Sequence, residues 1–251
     1  MNRAELLAYL DNYLNIAGIE DYGPQGLQVE ADNEQINRLA LAVDTSPAVI
    51  QAAAGWQADM LLVHHGLLWR SVEPIAGPLG RRVRLLLGSG INLYAAHLAL
   101  DAHPEVGNNA VLANMFGVEI KAWWSPYRGT PLAVVGSLPA ATTLAEFVEQ
   151  IEIQLDTKSR VLAKGPQQIQ RVAILSGFGA DEIAAAQATG ADTYLTGETS
   201  HANYWAADDL GLNVIYAGHY ATETVGVKAL GRHLVEKFNL QTLFFDFPTG
   251  M

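Results

Sequence analysis

What most constrains this chain is the alternation of short apolar runs with amphipathic stretches along its length. Leu39 to Val43, Leu61 to Val63, Asn92 to Ala96, Leu132 to Val135 and Val172 to Leu175 are too short for buried helices and predict strands. Thr193 to Thr196, Asn213 to Ala217 and Phe244 to Phe247 extend the series. Between them lie helix signals. Asn2 caps a stretch with Leu6, Leu7, Leu10 and Leu14 on one face, ending at Gly18. Ser46-Pro47 opens a second helix, Val83 to Leu87 gives a short one closed by Gly88, and Thr143-x-x-Glu146 is a capping box for a helix to about Leu155. Tyr22 to Gln28 reads as a Gly- and Pro-containing loop. Strands alternating with helices predict an α/β fold of mainly parallel sheets packed by helices.

The two halves of the chain are related. One shift lays Arg38 to His65 on Arg171 to Glu198 without a gap: Ile50 meets Ile183, Ala58-Asp59 meets Ala191-Asp192, and His64-His65 meets Gly197-Glu198. A second match sets Tyr94-Ala95-Ala96-His97 and Asp101 against Tyr216-Ala217-Gly218-His219 and Glu223. The expectation is two duplicated α/β halves, residues 1–125 and 126–251, intertwined around a shared cleft.

Chemistry concentrates at strand ends. Neighbouring side chains on a strand point to opposite faces, so His64 and His65 can serve one site only where the strand is ending. Gly66 permits the turn, and ligands of parallel sheets bind beyond the carboxyl ends of strands. The plain alternative is two partly buried imidazoles. Cysteine is absent, which leaves nitrogen and oxygen as metal donors. His64, His65, Asp101, His219 and Glu223 exceed one ion's needs and suit two divalent ions of the Zn, Fe or Mn kind, bridged by a carboxylate and a water. Such ions lower the pKa of the shared water and polarise a phosphoryl or carbonyl oxygen, so the expected chemistry is hydrolysis by a metal-bound hydroxide.

Several other residues carry readings of their own. His103 could relay a proton or be a loop imidazole bonded to backbone. Glu198 and His201 could line the cavity. His97, the sequence mate of His219, is read as hydrogen bonding behind a ligand or as core packing. Asp44 is read as a helix cap ahead of a cleft residue, Gly177-Phe178-Gly179 as a tight turn, and His233 as structural. Trp123, Trp124 and Tyr127 mark a packed junction or subunit contact.

A formal charge of −11 argues against a nucleic-acid footprint. No apolar run approaches the length of a membrane span, and Met1-Asn2-Arg3-Ala4-Glu5 lacks a signal-peptide layout, so a cytoplasmic protein is expected. The stretches Tyr22 to Glu30, Val63 to Gly66, His97 to Asn109, Thr196-Gly197-Glu198 and Ala217 to Glu223 together resemble the NIF-like dinuclear-metal family. Its bacterial members are commonly labelled type 2 homologues of GTP cyclohydrolase I. The resemblance implies the same five ligands with Glu223 as the bridge, and a toroidal homohexamer. It also implies the short form, without the domain many relatives carry between the halves. The expected function is a metal-dependent hydrolase acting on a small phosphorylated or heterocyclic, possibly nucleotide-like, compound. The alternative is a non-catalytic metal-binding, assembly or metal-delivery protein.

Overall fold

The computed structural model describes residues 1–69 and 74–251, with the backbone alone at 125 and 126. They form two units: Met1–Val106 with Val227–Phe247, and Gly107–Gly226 with Pro248–Met251.

The first unit contains α1 (Arg3–Tyr13), β1 (Gly26–Val29), β2 (Arg38–Asp44), α2 (Pro47–Gly55), β3 (Met60–His65), α3 (Gly77–Gly88), β4 (Asn92–Ala95) and α4 (Leu98–Asp101). After the second unit's strands, β11 (Gln241–Phe244) returns to this sheet, whose order is β1-β4-β3-β2-β11. All its pairings are parallel except β1 with β4. Leu61 and Val63 face the layer holding Val49, Ile50 and Ala53 of α2 and Leu86 of α3. Leu62, next to each of them on β3, is also fully buried. A strand covered on both faces must be apolar at consecutive positions, hence the unbroken run before His64. β11 begins at Gln241, ahead of the strand expected at Phe244 to Phe247, because Gln241 pairs with Arg38 and Phe244 with Leu41. The loop expected at Tyr22 to Gln28 gives way to β1 from Gly26.

The second unit contains α5 (Asn108–Met115), β5 (Glu119–Tyr127), β6 (Thr130–Thr143), α6 (Leu144–Leu155), β7 (Arg160–Leu162), β8 (Gln168–Leu175), α7 (Ile183–Ala188), β9 (Thr193–Thr196), α8 (Tyr204–Leu210) and β10 (Asn213–Tyr216). The helix α9 (His219–Phe238) begins here. The sheet order is β5-β6-β8-β9-β10-β7, and only β8, β9 and β10 run parallel. The α/β class holds, with the second sheet mixed where mainly parallel pairing was expected. β5 and β6 form a hairpin closed by Arg128 and Gly129, both at positive φ (47° and 86°) as tight two-residue turns require. A direct hairpin stands where the longer relatives were expected to carry their extra domain.

The unit boundary falls at Val106/Gly107, ahead of the expected 125, since a cut at 125 would split β5. Trp124 packs edge-on to Tyr194, while Trp123 lies against the cluster of Phe116 and Phe147. The aromatic stripe thus packs on both faces of its own sheet. No described helix is long and apolar enough to cross a membrane.

The first sequence match is also a match of register. Met60 lies beside Asn92 as Thr193 lies beside Asn213. Asp59 accepts from the backbone N–H of Asn37 and Arg38 (2.8 and 2.9 Å), and Asp192 accepts from Gln170 and Arg171 (both 2.8 Å). The second match slips by one residue. Val63 pairs with Ala95 and Thr196 with Tyr216, which gives His97 the counterpart Gly218 and His219 the counterpart Leu98. The pairing of His97 with His219 is therefore a likeness of sequence that the ladders do not share.

Candidate metal centre

In the first unit the ladder sets Asp44 directly beside His65. His65 Nδ1 donates to Asp44 Oδ1 at 2.8 Å, and the Thr45 hydroxyl donates to the His65 carbonyl at 2.8 Å. Asp44 therefore does not cap the following helix. Ser46 does, accepting from the Val49 N–H at 3.2 Å. The fully buried His64 donates from Nδ1 to the Ala96 carbonyl at 3.0 Å. His97, between β4 and α4, donates from Nδ1 to Asp21 at 2.9 Å. Burial works to raise the Asp21 pKa, but the bonds from His97, Leu98 N–H and Tyr22 N–H outweigh it and hold the carboxyl below its ordinary value. The rings of His64 and His65 are 4.7 Å apart, with His97 5.0 and 5.6 Å from them. Buried Asp101, closing α4, brings Oδ2 to 3.6 Å from His64 Nε2. Each acceptor is a carbonyl or carboxylate oxygen, so each of these hydrogen bonds is donated by Nδ1. A metal-ligating histidine is held in this way by a partner behind it.

In the second unit His219 opens α9, and Glu223 follows one turn later on the same face. His219 Nδ1 donates to Glu198 Oε2 at 2.8 Å, while Nε2 lies 3.2 Å from Glu223 Oε1. Burial lowers the His219 pKa, but Glu223 and Glu198 together outweigh it and push the value up to about 9. In the metal-free protein this imidazole therefore carries a proton at neutral pH.

Gly177 frames the pair. Its N–H donates to Thr222 Oγ1 at 3.0 Å, and its carbonyl accepts from Gly197 and Glu198 N–H at 3.0 Å. Its φ is +64°, and a Cβ there would run into Glu223 Oε1. The Gly177-Phe178-Gly179 turn thus needs its first glycine for close approach to a carboxylate.

His103 is fastened by backbone at both ring nitrogens. Nε2 donates to the Tyr13 carbonyl at 3.1 Å, and Nδ1 accepts from the Glu105 and Val106 N–H groups, both at 3.2 Å. Burial holds its pKa below the ordinary value. His201 is exposed in the turn before α8, and Glu198 stands behind His219. His233 stacks on Tyr13 with ring centres 4.2 Å apart and meets the Tyr9 hydroxyl at 2.6 Å.

Four supporting residues escaped the sequence reading: Asp21, Asp44 in its present role, Asn109 and Thr222. Asn109 is fully buried and accepts from the Ser176 N–H at 2.7 Å, fixing the chain just before Gly177. Knowing the β2–β3 register would have exposed Asp44. Asp21 sits in a loop with no periodic signal. Imidazoles held from behind, with buried carboxylates beside them, fit a borderline divalent ion.

The sequence profile of the Duf34/NIF3 (NGG1p interacting factor 3) family matches residues 1–249. A Pyrococcus horikoshii protein named GTP cyclohydrolase 1 type 2 homolog is 42% identical, with 100% of each chain covered. One of the same name from Pseudomonas aeruginosa is 40% identical over 97% of this chain and 96% of its own. The crystal structure of TTHA1606 from Thermus thermophilus is similar with a TM-score of 0.92 and 40% identity, covering 100% of both chains.

Proposed function

The chain belongs to the Duf34/NIF3 family, and on that premise we propose that it is a dinuclear divalent-metal protein and a hydrolase of small phosphorylated or heterocyclic, nucleotide-like compounds. The ligands are His64, His65 and Asp101 of the first unit and His219 and Glu223 of the second. The observation that carries the reading is the same hydrogen-bonding pattern at each imidazole. Nδ1 is held by the Ala96 carbonyl, Asp44 and Glu198 in turn, the support a metal-ligating histidine takes from behind.

Bound divalent ions supply a water of lowered pKa and polarise a phosphoryl or carbonyl oxygen. The protein's own part is positioning. Asp44 and Glu198 fix the tautomer and direction of His65 and His219, and the rigid end of β3 fixes His64. Five protein ligands for two ions leave coordination positions open, which favours catalysis over a closed structural site. Relatives carry the name GTP cyclohydrolase 1 type 2 homolog, which supports including GTP among the compounds tested. We further place the protein in the cytoplasm as a homohexamer, with light scattering expected to return six chains and a monomer mass contradicting it.

Metal-stripped protein reloaded with Zn, Fe or Mn, tested against phosphoesters and nucleotides including GTP, provides the test. Turnover should appear with metal and vanish in His65→Ala and Asp101→Ala while the fold survives. A fully metallated, stable wild type inert to the whole panel would favour metal binding or delivery without catalysis.

A further inference from the structure

A cleft opens beside the end of β3, and its described lining lies within the first unit. We infer that it binds the planar ring of a lactam-bearing, guanine-like heterocycle, stacked on Trp69 and read at its edge by Gln25 and Gln28. This rests on the reading of the protein as acting on nucleotide-like compounds, and names the ring it takes. The cleft measures about 190 Å³, with Pro24, Gln25, Gln28, Gly66, Leu68 and Trp69 on its walls. Sites for drug-sized ligands run to about 300–1,000 Å³, so this one takes a base and leaves ribose and phosphate outside. Trp69 is 42% exposed, and its ring centre stands 5.2 Å from that of His97 and 6.2 Å from that of His65. An indole kept out of the core offers a surface on which a base can stack, here beside the histidines at the end of β3.

What selects the ring is a pair of fixed amides. Gln25 Oε1 accepts from the Ala99 N–H at 2.9 Å, and its Nε2 donates to the Ile19 carbonyl at 3.2 Å. Gln28 Oε1 accepts from the Leu67 and Leu68 N–H groups at 2.7 and 3.2 Å, and its Nε2 donates to the Pro24 carbonyl at 2.6 Å. Each amide has a backbone donor at its oxygen and a backbone acceptor at its nitrogen, so neither can flip. Gly66 lets the second one approach the end of β3, since a Cβ there would run into the Gln28 amide. A side-chain amide carries two N–H donors and two lone pairs, so these bonds leave Gln25 one of each and Gln28 one N–H. A donor beside an acceptor complements the carbonyl and N–H of a lactam. Gln28 adds a further donor, for which a carbonyl has a second lone pair and an adenine ring nitrogen has none. Asp21, a carboxylate on the same wall, is taken up by His97 and the Leu98 N–H.

Equilibrium dialysis of the zinc-loaded full chain against guanosine, inosine, 1-methylguanosine and adenosine tests this, and the nucleoside series needs no substitution. Guanosine and inosine share the lactam and should bind alike. Adenosine and 1-methylguanosine, which lack the lactam N–H, should bind at least about tenfold more weakly. Trp69→Ala should weaken guanosine binding about 5–150-fold, the worth of one stacked base, while Trp69→Phe keeps most of it. Zinc content and urea unfolding check that each variant keeps its metal and its fold. No guanosine binding at millimolar concentration, equal binding of adenosine, or unchanged guanosine binding in Trp69→Ala overturns the proposal. Dialysis reads binding without turnover. Trp69-dependent guanosine binding by a protein inert to phosphoesters and nucleotides would refute the hydrolase reading and leave this one standing. Turnover of phosphoesters by a protein that binds no guanosine would do the reverse.

Discussion

Replacing Gly177 with alanine adds one methyl group beside two proposed ligands. At φ +64° an alanine is strained by about 1–2 kcal/mol. Its Cβ would run into Glu223 Oε1 and sit 3.3 Å from His219 Nε2. The obstructing atom is the end of a side chain, so Glu223 gives way and the backbone stays. The stability loss should therefore remain near the strain itself, a fall in Tm of about 2–8 °C for a chain of this size. Metal affinity should suffer more, by about 10–100-fold, as for loss of a well-oriented ligand environment. Gly190→Ala is the matched control, with φ +80° but nothing nearer its Cβ than Arg171 Nε at 3.6 Å. Calorimetric melting and zinc titration of both variants separate strain from displacement. Wild-type zinc affinity in Gly177→Ala, or equal loss in Gly190→Ala, would refute the reasoning.

Three further outcomes are expected. With the His219 pKa near 9 in the metal-free protein, zinc binding at pH 7.5 should release a proton, and affinity should rise about tenfold per pH unit up to that value; calorimetric heats that ignore the buffer's ionisation enthalpy would contradict this. His103, with a lowered folded pKa, contributes stability that is complete above its ordinary 6.5 and is lost as pH falls through 6.5 towards the folded value, so urea midpoints should drop with acid more in the wild type than in His103→Ala. Asp59→Asn and Asp192→Asn should each cost about 1–3 kcal/mol by weakening bonds to two backbone amides, measured by urea unfolding.

Sequence patterning reached the strands whose two faces are both buried, because an unbroken apolar run such as Leu61 to Val63 has few other uses. It missed β1 because Gly23, Pro24 and Gly26 look like a turn, and only pairing with β4 makes Gly26–Val29 a strand. β5 was equally hidden, since Trp123 and Trp124 both meet apolar clusters, one on each face, and leave no apolar/polar alternation to see, while its partner β6 was reached at Leu132 to Val135. The donor types were legible because His64-His65 and His219-x-x-x-Glu223 carry their geometry in their spacing. The supporting residues were not, because Asp21–His97 and Asn109–Ser176 are contacts between segments far apart in sequence. For His103 the sequence allows a proton relay or a loop imidazole bonded to backbone, and the structure fastens both of its ring nitrogens to backbone.

Metal stoichiometry tests the central claim most directly. Native mass spectrometry of the wild type loaded with zinc, iron or manganese should show two ions per chain, with occupancy of both falling in Glu223→Gln. One ion at most, still bound after that substitution, would contradict the dinuclear account.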